Sequence, residues 1–228
     1  MNSVSVVIPA YNEGKRVISV LAALITIGEI TDIILVDDGS VDDTSAIIQS
    51  YLPDDPRCKL VKHPQNLGKG QAVFTAWQYV STDIVLLLDA DLIGLTPDHV
   101  RALLNPVLSG HYDMTLGIFK GGDLKTDFSH WITPWLTGQR CMRREMLKDV
   151  AFDAATGYGL ETAITVAARQ RNWKVKRVPL YGVSHPISEL HRGGIKGFAN
   201  RIKMYIQIIT AWYKATANLH RVSAPKYK

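Results

Sequence analysis

Two carboxylates one residue apart, Asp89 and Asp91, close the stretch D-I-V-L-L-L-D-A-D that begins at Asp83. Hard oxygen ligands this close together suit Mg²⁺ or Mn²⁺, above all where a substrate phosphate completes the coordination shell. Taken alone, the three residues read as a solvated Asp-Ala-Asp turn. The relationship recurs upstream, where Ile33-Ile34-Leu35-Val36 runs into Asp37-Asp38-Gly39-Ser40. A third candidate is the turn Gly68-Lys69-Gly70, which offers backbone N–H groups, a favourable helix dipole and an ammonium to a phosphate. It is no Walker A loop, because that pattern needs a glycine where His63 stands and a hydroxyl where Gly70 stands. In isolation Lys69 reads as an exposed helix-terminal lysine.

The elements that must position these groups follow from the apolar pattern. Val4–Ile8 reads as a first strand stopped by Pro9, with a helix over Val17–Ile27. The turn between them, P-A-Y-N-E-G, stands at a binding position, so Tyr11 and Glu13 could contact a base or ribose. The same residues allow another reading, with Asn12 as helix cap and Glu13 in the first turn. Strands are predicted over Ile33–Val36 and Lys59–Val61, with Asp42 or Asp43 capping the helix through Ile47-Ile48 and a further helix from about Ala72 to Tyr79. The uninterrupted apolar run Ile84–Leu88 predicts a strand buried on both faces, continuing to Asp91. A buried strand cannot keep an unpaired carboxylate inside, so Asp89 and Asp91 are expected at its C-terminal edge, where open α/β sheets bind ligands. Strand–helix units alternating through about ninety residues predict a mostly parallel sheet covered on both faces.

Composition narrows the classes. The chain has 228 residues, 46% hydrophobic, enough for a sizeable core. Its 26 basic and 21 acidic residues give a formal charge of +5, which suits anionic ligands and is too weak to imply nucleic acid. Cys58 and Cys141 lie far apart and suggest neither a disulfide framework nor a zinc site. No leader pattern precedes Val4, and Val17–Ile27 is too short to span a bilayer, so a cytoplasmic location is expected.

Four pieces in order and register, V-V-I-P-A-Y-N-E, I-L-V-D-D-G-S-x-D-D-T, N-x-G-K-G-x-A and L-L-D-A-D, resemble a family 2 glycosyltransferase with the GT-A fold. L-T-G-Q-R ending at Arg140 is similar to that family's acceptor-side loop, and G-Y-G-L-E ending at Glu161 to the stretch with its acidic catalytic residue. The resemblance covers most of the chain from Val4 to about His185. It implies a GT-A-type, Rossmann-like catalytic domain over residues 1–190, divided into a nucleotide-sugar half (1–92) and an acceptor half (93–190). Residues 191–228 would add a C-terminal basic amphipathic helix and tail.

Residue by residue, the resemblance implies that Pro9, Ala10, Tyr11 and Glu13 contact base and ribose, and that Asp38 accepts from the base imide. It places Lys69 near base or phosphate, Ala90 within the donor-binding D-x-D, Asp91 directly on a divalent metal and Asp89 beside it. Thr137, Gly138, Gln139 and Arg140 would contact the acceptor. Glu161 would be the general base and, with Asp91, one of the two catalytic residues. The family's usual second acid is missing, since Thr162 follows Glu161. Some GT-A enzymes place a C-terminal histidine on the metal, which makes His185 a candidate ligand and His191 its understudy. The implied activity is a metal-assisted hexosyltransferase using Mg²⁺ or Mn²⁺ and a UDP- or GDP-linked sugar. An acceptor hydroxyl or phosphate would be glycosylated, with inversion at the anomeric carbon.

Further segments carry weaker expectations. The stretch from Gly121 to Trp135 could be a lid or a plain surface connection, and two of Arg140, Arg143 and Arg144 read as helix-surface charge. Asp113–Gly117 and the alternating Trp173–Leu180 predict strands, and Thr162–Ala168 a helix. From Ile195 apolar residues recur at helical spacing among Lys and Arg. That helix could pack on the catalytic domain, pair with a second subunit as a homodimer, or lie on the inner face of an anionic membrane. Two competing functions are a sugar-phosphate nucleotidyltransferase, whose glycine-rich opening is replaced here by Pro9–Glu13, and a non-catalytic nucleotide-sugar-binding module, which has no evident need for Glu161.

Overall fold

The computed structural model describes residues 3–52, 55–121, 137–150, 159–186 and 210. The strands are β1 (Val4–Ala10), β2 (Ile30–Asp37), β3 (Cys58–Lys62), β4 (Ile84–Leu87), β5 (Met114–Lys120), β6 (Arg140–Arg143) and β7 (Val175–Tyr181). The helices are α1 (Gly14–Ala22), α2 (Thr44–Tyr51), α3 (Lys69–Trp77), α4 (Pro97–Leu108) and α5 (Gly159–Gln170). A 3₁₀ segment, Arg144–Asp149, follows β6.

The strands form one sheet in the order β3-β2-β1-β4-β6-β5-β7. Only β6 runs against the others, pairing antiparallel with β4 on one side and β5 on the other. The mostly parallel α/β class expected from the sequence is therefore present, with one reversed strand beside the strand that delivers the D-x-D acids. Alternation along β1 feeds two cores. Val4, Val6 and Ile8 pack with Val17 and Leu21 of α1 and Leu103 of α4, whereas Val7 packs with Val73 of α3 and Ile164 of α5. Apolar side chains on both faces explain why β1, β2 and β4 read as continuous runs.

Several boundaries differ from expectation. Pro9 does not stop β1, which continues to Ala10. Val7 O accepts from Leu88 N and Ala10 O from Asp38 N, so odd-numbered positions face β4 and even-numbered ones β2. Pro9 therefore faces the β4 side, where the paired register ends at Val7–Leu87 and no ladder bond needs its missing N–H. For the same reason β4 ends at Leu87 rather than at Asp91. Helix α1 starts three residues earlier than expected and stops at Ala22, after which Ala23 and Leu24 donate to the carbonyls three residues back. Leu24 and Ile27 remain buried, so the apolar pattern persists although the helix has ended.

The cap expectations also shift. Asn12 does not cap α1: its Oδ1 accepts from Val41 N at 3.0 Å, tying the first loop to the second. Glu13 holds the N-cap position without a side-chain cap bond to the backbone, and its Oε2 instead accepts from Arg16 Nη1 of the helix at 2.5 Å. In α2 the N-cap position is Asp43, but Asp42 Oδ1 is the oxygen that takes Thr44 N, at 3.0 Å. Arg140 and Arg143 lie on β6, so neither is helix-surface charge, whereas Arg144 opens the 3₁₀ segment and is partly exposed. The candidate lid from 122 onward, His191 and the C-terminal helix expected from Ile195 lie outside the described residues, as do residues 151–158. Among the described residues no helix is long and apolar enough to cross a membrane.

Candidate functional site

The C-terminal ends of β1, β2 and β4 and the N-termini of α3 and α5 meet at one edge of the sheet. Beyond β4 the chain turns through Leu88, Asp89, Ala90 and Asp91. It then makes a two-residue antiparallel bridge, Ile93 with Ser184, through bonds of 2.9 and 3.1 Å. That crossing brings His185 to the D-x-D acids. It requires Gly94, whose φ is +77° and where a Cβ would stand 2.4 Å from Gly182 O.

His185 Nδ1 lies 2.9 Å from Asp91 Oδ1, and its Nε2 3.7 Å from Asp89 Oδ2. One ligand atom from each of Asp89, Asp91 and His185 falls within 4.8 Å of the other two. Burial works to lower the His185 pKa, but the bond to Asp91 and the charges of Asp89 and Asp91 outweigh it and raise the imidazole above its ordinary value. Two carboxylates and one imidazole, with the open side toward solvent, fit Mn²⁺ well and Mg²⁺ acceptably. These are the three residues expected to hold a metal, and the fold brings them together.

Behind the acids, Lys69 Nζ lies 2.6 Å from Asp89 Oδ1 and 2.5 Å from Glu161 Oε1. Burial favours the neutral amine, yet the two carboxylates prevail and hold the Lys69 pKa above the usual lysine range. Asp89 is likewise held low: burial opposes ionisation, while Lys69, His185 and Gln139 favour it. Lys69 is thus no exposed helix-terminal lysine. Glu161, in the first turn of α5, is 4% exposed, and its Oε2 has no hydrogen-bond partner among the described residues. A buried carboxylate oxygen left open at a cleft is costly unless a ligand uses it.

All four residues expected at the acceptor are buried behind this pair. Thr137 Oγ1 donates to Gln139 Oε1 at 2.5 Å, and Gln139 Nε2 donates to Asp89 Oδ2 at 2.8 Å. Arg140 Nε donates to Thr137 O, and both its terminal nitrogens reach Thr165 Oγ1, which itself donates to Glu161 O at 2.7 Å. Burial pushes the Arg140 pKa down to about 10, with Glu161 and Asp89 working against that fall. Gly138 fits between them for want of a side chain, since a Cβ there would lie 2.5 Å from both Asp89 Oδ1 and Lys69 Nζ.

On the other side, the loops after β1 and β2 are laced together. Asn12, at φ +59°, donates its N–H to Ser40 Oγ, and Glu13 N donates to Thr44 Oγ1, both at 2.9 Å. Tyr11, Val41 and Leu67 are exposed around these loops. Asp38 is buried and already accepts from Leu67 N at 3.0 Å, Gly68 N at 2.8 Å and His63 Nδ1 at 2.7 Å. His63 Nε2 in turn meets Thr75 Oγ1 at 2.9 Å. Asp38 therefore anchors the loop that presents Lys69, and of the roughly four acceptor sites of a carboxylate about one remains for a ligand. His63 escaped the sequence reading. Its signal was register: Asp37 pairs with Lys62, so the next residues of two parallel strands, Asp38 and His63, must lie side by side.

A mostly parallel sheet with helices on both faces, acids at the end of its fourth strand and a histidine brought onto them defines the GT-A class of fold. Comparison with known proteins agrees: the family described as Glycosyl transferase family 2 matches residues 5–165, and the chain belongs to that family. The glucosyl-3-phosphoglycerate synthase of Mycobacterium tuberculosis is 28% identical over 197 residues, covering 72% of this chain and 60% of the relative. A dolichyl-phosphate beta-glucosyltransferase of Trichomonas vaginalis is 35% identical over 94 residues, 37% of this chain and 28% of the relative. The chain thus spans about 60% of the length of the M. tuberculosis enzyme it matches. A crystal structure of that mycobacterial synthase with Mn²⁺, UDP-glucose and phosphoglyceric acid superposes with a TM-score of 0.71 at 26% identity, covering 94% of this chain and 79% of the other. Another, with Mg²⁺ and UDP, gives 0.67 at 27% identity over 83% of this chain and 74% of the other.

Proposed function

We propose that this chain is a metal-assisted glycosyltransferase that moves a hexose from UDP to a hydroxyl of a small phosphorylated acceptor. The observation that carries the reading is the single cleft in which Asp89, Asp91 and His185 face the Lys69–Glu161 pair. Asp91, His185 and Asp89 would hold the metal. When bound, the ion would offset the charge that develops on the departing nucleoside diphosphate. Lys69 adds a permanent positive charge next to that position. Pro9, Ala10, Tyr11 and Glu13 would line the nucleoside side, with Ala90 between the two donor-facing acids and the remaining acceptor site of Asp38 turned to the base. Glu161 Oε2, buried and without a hydrogen-bond partner among the described residues, would take the proton of the acceptor hydroxyl as it attacks the anomeric carbon.

UDP is favoured over GDP because the mycobacterial relative has been solved with UDP and UDP-glucose, and a phosphorylated acceptor because both relatives are named for one. The small acid is preferred to the lipid phosphate because the first relative matches 72% of the chain and the second 37%. A nucleotidyltransferase is disfavoured by the Pro9–Ala10 strand end, where no glycine-rich loop is available to wrap a triphosphate. A non-catalytic binder is disfavoured by Glu161 Oε2, a buried carboxylate oxygen with no hydrogen-bond partner among the described residues.

The test is thermal denaturation with UDP, GDP and UDP-glucose, each with and without Mn²⁺, followed by a turnover screen of phosphorylated hydroxy acids. A ligand at 100 times its Kd stabilises by about 2.7 kcal/mol, which is readily seen as a shift in Tm. Absence of any metal-dependent nucleotide shift would refute the reading.

A further inference from the structure

We propose that Gln139 is a positioning residue for the metal site, acting by fixing the carboxylate of Asp89. The inference rests on the metal-dependent reading of the cleft. Gln139 is 0% exposed, so its amide has no solvent-facing route to an acceptor. Its Nε2 instead donates to Asp89 Oδ2 at 2.8 Å. The amide could in principle be turned the other way, but its neighbours decide the orientation. Thr137 Oγ1 lies 2.5 Å from Oε1 and also accepts from Gln139 N at 3.3 Å. With the backbone N–H already on the hydroxyl oxygen, the hydroxyl hydrogen is free to go to Oε1. Only this orientation turns the NH₂ toward the carboxylate, which can accept but not donate.

The consequence lies in the rotation of Asp89. A carboxylate on a short side chain turns readily about its last torsion, and a turning carboxylate is a poor metal ligand. Here Lys69 holds Oδ1 at 2.6 Å from one side and Gln139 holds Oδ2 from the other. The plane is thereby fixed with Oδ2 at 3.7 Å from His185 Nε2, on the side shared with Asp91. The absence of a side chain at Gly138 lets Gln139 come this close, because any Cβ would enter the space of both Asp89 and Lys69. Thr137, Gly138 and Gln139 thus form one device, a hydroxyl that orients an amide that orients a metal-side acid.

The experiment measures Mn²⁺ affinity by EPR of the free ion, with UDP present, for the wild type, Gln139→Leu and Thr137→Val. Loss of such an outer hydrogen bond to a ligand typically weakens metal binding roughly 10- to 100-fold, and that is the expected change in Gln139→Leu. Thr137→Val should show a smaller change in the same direction, and binding of UDP without metal should be unaffected in both. Leu147→Ala, a buried change on the 3₁₀ segment, serves as the comparison for instability alone and should lower Tm with Mn²⁺ affinity retained. Unaltered Mn²⁺ affinity in folded Gln139→Leu overturns the inference. Should that variant fail to fold, unaltered affinity in Thr137→Val overturns it instead. If the wild type itself binds no Mn²⁺ beside UDP, the metal-dependent reading of the cleft falls, and the role of Gln139 with it.

Discussion

Lys69 Nζ stands 2.5 Å from Glu161 Oε1, joining the first residue of α3 to the first turn of α5 across 92 positions of sequence. The same ammonium lies 2.6 Å from Asp89 Oδ1, so one positive charge serves an acid on the metal side and an acid on the acceptor side. One cation thus ties the two sides of the cleft together.

Removing that charge leaves two carboxylates facing each other in a partly desolvated cleft without the cation they share, which is destabilising even though Gln139 still bonds to Asp89. Lys69→Met is therefore expected to lower Tm in the metal-free protein and to reduce turnover by at least 100-fold. Mn²⁺ should recover part of the lost Tm by supplying positive charge at Asp89. Thermal melts with and without the ion check this, and an unchanged metal-free Tm would count against the bridging role.

The two acids at opposite ends of the cleft should separate binding from chemistry. Asp91→Ala is expected to abolish the Mn²⁺-dependent shift with UDP. Glu161→Gln keeps the shape of the side chain and should leave that shift intact while turnover falls by about 10²- to 10⁴-fold. Turnover equal to wild type in Glu161→Gln would mean that another group takes the acceptor proton. The anomeric configuration of the product, read by NMR, tests the expected inversion independently.

Gly138→Ala probes close packing at the site. A Cβ 2.5 Å from Asp89 Oδ1 and Lys69 Nζ cannot be accommodated without moving a charged group. A loss of about 1–3 kcal/mol in unfolding free energy is expected, as for overpacking elsewhere, together with weakened Mn²⁺ binding. Urea denaturation and metal titration of the same sample measure both.

Acid sensitivity should arise in part from Asp37. Burial alone would raise its pKa, but the hydroxyls of Ser40 and Ser45, the Ser40 N–H and the charge of Lys62 hold it below the ordinary 3.8. A carboxyl whose folded pKa is depressed contributes stability that is present above its unfolded value and lost as pH falls through the folded one. Asp37→Asn should therefore be less stable than wild type at pH 7, with the difference shrinking below about pH 4. Urea midpoints at pH 7 and pH 3 provide the comparison, and a constant gap would remove Asp37 from the acid response.

Most of the parallel half of the fold was legible because its signals are local. Apolar runs such as Ile33–Val36 and Ile84–Leu87 mark strands buried on both faces, and the acids that follow must leave the sheet at its C-terminal edge. The order of strands thus placed Asp38, Asp89 and Asp91 at one edge, the family resemblance added Lys69, and the D-x-D spacing implied a hard cation. What each of them touches was not legible. Gln139 reaches Asp89, and Arg140 the turn bearing Glu161, only because β6 inserts in reverse between β4 and β5. His63 reaches Asp38 through the register of β2 with β3, and His185 reaches Asp91 through the Ile93–Ser184 crossing. A residue's tendency to end a strand or open a helix is written in its immediate neighbours. The partner of a buried charge is chosen by strand order and register across separations of 25 to 94 residues, which only the packed sheet decides.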